Sequence, residues 1–96
     1  MTKAERELAD VDAVFAALAH PSRRQILMVL KLRGGAMTAG EIVERFSCTW
    51  PTTTRHLRAL EVAGLISVRK EGRERHYELN QRRISGVASG WLKWFD

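Results

Sequence analysis

Residues 38–65, TAGEIVERFSCTWPTTTRHLRALEVAGL, decide the fold, because this one run holds two helix starts and one helix stop. Thr38 stands as an N-cap, Glu41 three residues on completes a capping box, and Met37 with Ile42 is spaced as a hydrophobic staple. The helix they open is short and ends near Phe46. A second helix starts at Thr49 as N-cap, with Trp50 and Pro51 in its first turn. There a missing N–H and a stiff χ1 are tolerated. It runs to Ala63, after which Gly64 supplies the left-handed residue and Leu60 and Leu65 are placed to touch across a Schellman ending. A short helix, a tight turn and a longer helix make a helix-turn-helix.

Upstream, Val11, Val14, Phe15 and Leu18 recur at helical spacing, predicting a helix over about residues 8–19. Pro21 suits the first position of another helix, with His20 or Ser22 near its cap. Ile26, Leu27, Val29, Leu30 and Leu32 make that helix apolar around much of its circumference, so a central element is expected. Gly34 and Gly35 break it.

Downstream of Gly64 the apolar period changes from 3.6 to 2. Ile66 and Val68 alternate with Ser67 and Arg69, and Tyr77 and Leu79 with His76 and Glu78, around the charged tip Glu71–Glu74. This pattern is a β-hairpin. Asn80 then caps a final helix over about residues 81–95, whose stripe is Ile84, Val87, Ala88, Trp91, Leu92 and Phe95. The expected fold is mainly α with a β-hairpin wing: a winged helix-turn-helix with added terminal helices for dimerisation, one domain over residues 1–96.

The chain has 96 residues, 16 basic and 11 acidic, for a formal charge of +5, which favours a polyanionic partner. No apolar run approaches the roughly 18 residues of a spanning helix, and MTKAERELAD lacks the apolar segment of a signal peptide, so a cytoplasmic protein with no membrane partner is expected. Cys48 stands alone, which excludes an intramolecular disulfide or a cysteine-pair zinc site, and it is expected to pack as a small hydrophobe. Neither a nucleophile with its base nor a phosphate loop is present, so we expect no enzyme.

On the helix after Thr49, a step of 100° per residue puts Thr53, Leu57 and Leu60 within about 60° of one another as the buried side. Pro51, Arg55, Arg58 and Val62 fall opposite, with Thr52 and Thr54 on the flanks. Arginine can bind guanine O6 and N7 bidentately, and threonine can donate, accept or touch a thymine methyl. The hydroxyl-rich opening is therefore expected to face nucleic acid, where free N–H groups find phosphates. Trp50 can lean on the core or stack on a sugar. His56 lies about 60° from the buried axis and is expected to be packed and hydrogen-bonded. At the wing, Lys70, Arg73 and Arg75 are expected on phosphates, opposed by Glu71 and Glu74.

HPSRRQILMVL (residues 20–30), RHLRALEVAGLI (55–66) and the wing GRERHYEL (72–79) together resemble the ArsR/SmtB family of bacterial winged-helix repressors, over nearly the whole chain. MTAGEI and the ending WLKWF look like its autorepressor branch. The resemblance implies a homodimer on double-stranded DNA at an inverted-repeat operator, often its own promoter, with Thr38 beside the helix tip and the wing in contact with the DNA. It also implies a dimer interface of Leu8, Val11, Phe15, Ile84, Val87, Trp91 and Phe95, unless these residues simply finish the monomer core. Gly86 and Gly90 fit either close helix approach or fraying. Where the family's metal-sensing cysteine box falls, this chain has Thr38, Ala39, Gly40, Glu41 and Ile42, and no histidine follows His76, so no metal and no cofactor are expected. The family usually has an apolar residue where Thr53 stands and a polar one at Trp50. An adaptor module that grips another protein, and a repressor released by an unidentified small molecule, remain the competing readings.

Overall fold

The computed structural model describes all 96 residues. Helix α1 spans Lys3–Leu18. It begins well before residue 8, where the apolar stripe alone would start it, because Thr2 and Glu5 form a capping box: the Glu5 N–H donates to Thr2 Oγ1 at 3.1 Å. Helix α2, Pro21–Leu32, has proline in its first turn and His20 at the N-cap, although the His20 side chain makes no capping bond. Its core side is Ile26, Leu27 and Leu30, while Met28 and Leu32 are exposed. It is therefore one-sided, not the central, all-round apolar helix its composition suggests.

The chain turns back through Gly34 and Gly35, both in the left-handed region at φ 91° and 99°. It then forms strand β1, Ala36–Thr38, an element that the alternation in the sequence does not predict. Helices α3 (Ala39–Arg45) and α4 (Trp50–Val62) follow as the helix-turn-helix. Strands β2 (Ile66–Glu71) and β3 (Glu74–Leu79) form the wing. The sheet has three antiparallel strands in the order β1-β3-β2, with Met37 opposite Tyr77 and Val68 opposite Tyr77 on its other side. The hairpin is thus anchored by an extra strand that ends at the cap of α3.

The C-terminal helical segment comprises α5 (Gln81–Arg83), a π-helical stretch (Ile84–Ser89), α6 (Gly90–Leu92) and a 3₁₀ turn (Lys93–Phe95). Its extent and its Asn80 cap match the sequence reading: Asn80 Oδ1 accepts from the Arg83 N–H at 3.1 Å. Its winding does not, since the run is expected to be plain α-helix. The core lies between α1, α2, α4 and the sheet, and Val14, Leu30, Leu60 and Leu65 are fully enclosed in it.

Candidate nucleic-acid interface

The start of α4 is built by its own cap. Thr49 Oγ1 accepts the Thr52 N–H at 3.3 Å and donates to Thr52 Oγ1 at 3.1 Å, while the Thr53 N–H reaches the Thr49 carbonyl at 3.0 Å. Pro51 has no N–H to satisfy. In that turn only the Trp50 N–H makes no hydrogen bond within the chain. The threonine-proline opening therefore satisfies itself first, and leaves one N–H and the Thr52 hydroxyl proton for a ligand. This corrects the expectation of several free donors.

The end of α4 is a Schellman motif. Gly64, at φ 78°, donates to the Glu61 carbonyl at 2.9 Å, and Leu65 donates to the Leu60 carbonyl at 3.0 Å. With both ends fixed, the helix buries Thr53, His56, Leu57 and Leu60 and turns Pro51, Thr54, Arg55, Arg58 and Val62 to solvent, with Thr52 half-buried. This division follows the helical wheel. Thr53 is only 2% exposed, and its hydroxyl has no partner.

Behind the exposed arginines, His56 Nδ1 accepts a bond from Arg23 Nε at 3.3 Å, and the His20 and His56 rings lie 4.4 Å apart. An acceptor at Nδ1 requires neutral imidazole. Burial holds the His56 pKa below the usual histidine value, and His20, Arg23 and Arg55 add to the effect because another positive charge is repelled there. At the start of α3, the Thr38 backbone N–H donates to the Glu41 carboxylate at 3.0 Å, which holds Glu41 below the usual carboxylate range.

The wing separates its charges by face. Strand alternation puts Lys70 and Arg75, opposite each other in the register, on the face that carries Ile66, Val68, Tyr77 and Leu79. The other face carries Arg69, Glu71, Glu74, His76 and Glu78. There Glu71 meets Arg69 at 3.1 Å and His76 at 3.3 Å, and Glu74 lies 3.7 Å from His76. Lys70, Arg73 and Arg75 take part in no ion pair, so the wing acids oppose them less than composition suggests. A cleft of about 390 Å³ between the wing and the helix-turn-helix brings together Thr38, Trp50, Arg73 and Arg75 with Ala39, Gly40 and Glu74. Trp50 is 55% exposed and is not among the side chains packed on the core, against the reading in which it leans there.

The residues expected at a dimer interface divide in two. Phe15, Ile84 and Val87 pack partly against the core. Leu8, Trp91 and Phe95 do not, and with Val11 and Val87 they line a groove of about 810 Å³ between α1 and the C-terminal segment. Phe15 and Trp91 meet edge to face at 5.4 Å. Gly86 and Gly90 also line the groove, with nothing near the place of a Cβ, so in the single chain they border open space. Ala4 and Trp94, which the sequence reading did not select, belong to the same surface; Ala4 continues the Leu8–Val11 spacing one turn earlier. No three His, Cys, Asp or Glu side chains are grouped to hold a metal ion, and Cys48 is half-buried.

Two exposed arginines on a capped second helix, beside a wing with a basic face, define a winged helix-turn-helix. A helix-turn-helix domain family model matches residues 18–69. The transcriptional repressor SdpR of Bacillus subtilis is 45% identical over 67 residues, 70% of this chain and 72% of that protein. Among solved structures, an ArsR-like transcriptional regulator from Rhodococcus sp. RHA1 superposes with a TM-score of 0.76 at 28% identity, covering 90% of this chain and 79% of that one. A homodimeric winged helix-turn-helix DNA-binding domain from Mycobacterium bovis gives a TM-score of 0.78 at 26% identity, covering 96% and 84%. The chain belongs to the ArsR/SmtB family of winged-helix transcriptional repressors.

Proposed function

We propose that this protein is a cytoplasmic, sequence-specific DNA-binding repressor that acts as a homodimer on an inverted-repeat operator. One observation carries the reading: Trp50, in the first turn of α4, shares a cleft with the unpaired wing cations Arg73 and Arg75, and the same helix turns Thr54, Arg55 and Arg58 to solvent. In this reading Arg55 reads a guanine edge, Thr52 and Thr54 contact bases or their phosphates, and Arg58 and Pro51 follow the groove wall. Thr38, Lys70, Arg73 and Arg75 hold phosphates, and the exposed Trp50 lies on a sugar. Leu8, Trp91 and Phe95, exposed in one chain, and half-buried Val11 pack against their counterparts and set two α4 helices about 34 Å apart.

The test is a gel-shift titration of the promoter upstream of the coding sequence against unrelated DNA, at two salt concentrations. The expected result is a preference for the promoter of at least about a thousandfold that persists at higher salt. Equal affinity for both DNAs would support the adaptor reading instead.

A further inference from the structure

Resting on the DNA-binding reading of α4, we propose that Arg83 is a positioning residue that couples assembly of the α1/C-terminal surface to the set of the reading helix, by holding the carbonyl end of α4 and Asp10 together.

Arg83 Nε donates to the Ala63 carbonyl at 3.3 Å, and Arg83 Nη2 donates to Asp10 Oδ1 at 3.2 Å. Ala63 is the C-cap of α4, and Asp10 lies on α1 in the wall of the 810 Å³ groove. One guanidinium therefore bridges three elements. The last carbonyls of a helix lack partners within it, so a donor brought to them fixes where the helix ends. Asn80 makes the second half of this grip, its Nδ2 donating to the Gly64 carbonyl at 3.1 Å while its Oδ1 caps the Arg83 N–H. Gly64 leaves room for the grip: a Cβ there would lie 3.2 Å from Arg83 Nε.

The coupling follows from where Asp10 sits. In the single chain its side chain is 48% exposed and that of Arg83 is 28% exposed, so water weakens their attraction. A partner chain seated on the groove removes water from Asp10 and strengthens the pair. The guanidinium is then held harder against Ala63, and α4 loses freedom to tilt. An ordinary surface ion pair has no such consequence, because its two ends do not also hold a third element.

The experiment compares the wild-type protein with Arg83→Gln and Asp10→Asn, using a half-site duplex so that one head binds at a time and two-headed avidity does not contribute. Sedimentation with and without the half-site gives the dimerisation constant in each state. In the wild type, the half-site is expected to tighten dimerisation on the order of tenfold, the reciprocal of the dimer's tighter half-site binding. Both variants are expected to lose most of that factor, while affinity for unrelated DNA and its salt slope stay unchanged. A merely structural Arg83 would instead lower operator and unrelated-DNA binding together, in proportion to unfolded protein. Undiminished coupling in a folded Asp10→Asn protein overturns the proposal, even where Arg83→Gln fails to fold. Absence of operator preference in the wild type overturns the DNA-binding reading itself.

Discussion

Helix α4 and the C-terminal helical segment are of similar length, yet they relate to the rest of the chain differently. Of α4, Thr53, His56, Leu57 and Leu60 are buried, and both its ends are closed by caps. Of the C-terminal segment only Ala88 is buried, its winding passes through π and 3₁₀ geometry, and Trp94 is 83% exposed. The first helix is finished within one chain, and besides Trp50, Pro51 and Val62 it shows Thr54, Arg55 and Arg58 to solvent. The second carries large apolar side chains that one chain leaves in water. Exposed apolar surface on that scale marks an interaction site. Under the proposed function, the difference separates a part that reads from a part that assembles.

The largest expected effect breaks the assembling part alone. Leu8 is 62% exposed, so Leu8→Glu leaves the chain's own core untouched. In a dimer it would remove a buried leucine, worth roughly 1.5–3 kcal/mol, and place an unpaired carboxylate in apolar surroundings. A loss of at least about 3 kcal/mol, more than a hundredfold in the dimerisation constant, is expected by sedimentation, with circular dichroism unchanged. A variant that remains dimeric would mean that the groove of α1 is not the interface.

Breaking the reading part should have a smaller and more selective effect. Arg55→Ala is expected to weaken operator binding by about 1–3 kcal/mol and to relax preference at one base position. Arg73→Ala should weaken binding to any DNA and lower the salt slope by about 0.9, the share of one phosphate contact. Binding-site selection with each variant distinguishes these outcomes. If Arg73→Ala also shifts the preferred sequence, the wing reads bases, and the division of labour proposed above fails.

The contrast also explains what was legible in the sequence. Thr38, Thr49 and Gly64 announce the helix-turn-helix because caps are local: each acts on atoms within a few residues of itself. The start of α1 is marked just as locally by Thr2 and Glu5, one turn and more before the first residue of the apolar stripe. Strand β1 was not legible, because three residues after two glycines become a strand only when β3 offers its edge. The grip of Arg83 on Asp10, 73 residues away in sequence, belongs to the same class of long-range pairing. So does the charge separation of the wing, although its alternation can be read once the register is known. The π stretch at Ile84–Ser89 is not announced by any local signal in those residues.

Thr53 sharpens the comparison from inside α4. Its hydroxyl is buried without a partner. Thr53→Val removes the orphaned group at almost the same volume, and a gain of about 1 kcal/mol is expected. For a domain of this size that is a rise of roughly 4–8 °C in melting temperature. An unchanged or lower melting temperature would show that the hydroxyl is satisfied in solution.

His56 sits on the seam between the core and the reading face, and its titration gives the smallest effect. Its pKa in the folded chain lies below the ordinary 6.5, because burial and the neighbouring His20, Arg23 and Arg55 disfavour the imidazolium. The unfolded chain therefore binds the proton more readily. The stabilisation is fully present above about pH 6.5 and is lost progressively as pH falls below it. Protonation would also set a second donor against Arg23 Nε, whose bond needs a bare Nδ1. His56→Gln offers Arg23 an acceptor that does not titrate, so its melting temperature should fall less between pH 7 and 5 than that of the wild type. Parallel pH profiles for the two proteins would show that the seam stays neutral throughout, since Glu41, held below the usual carboxylate range by the Thr38 N–H, stays ionised over the same interval and adds no slope of its own.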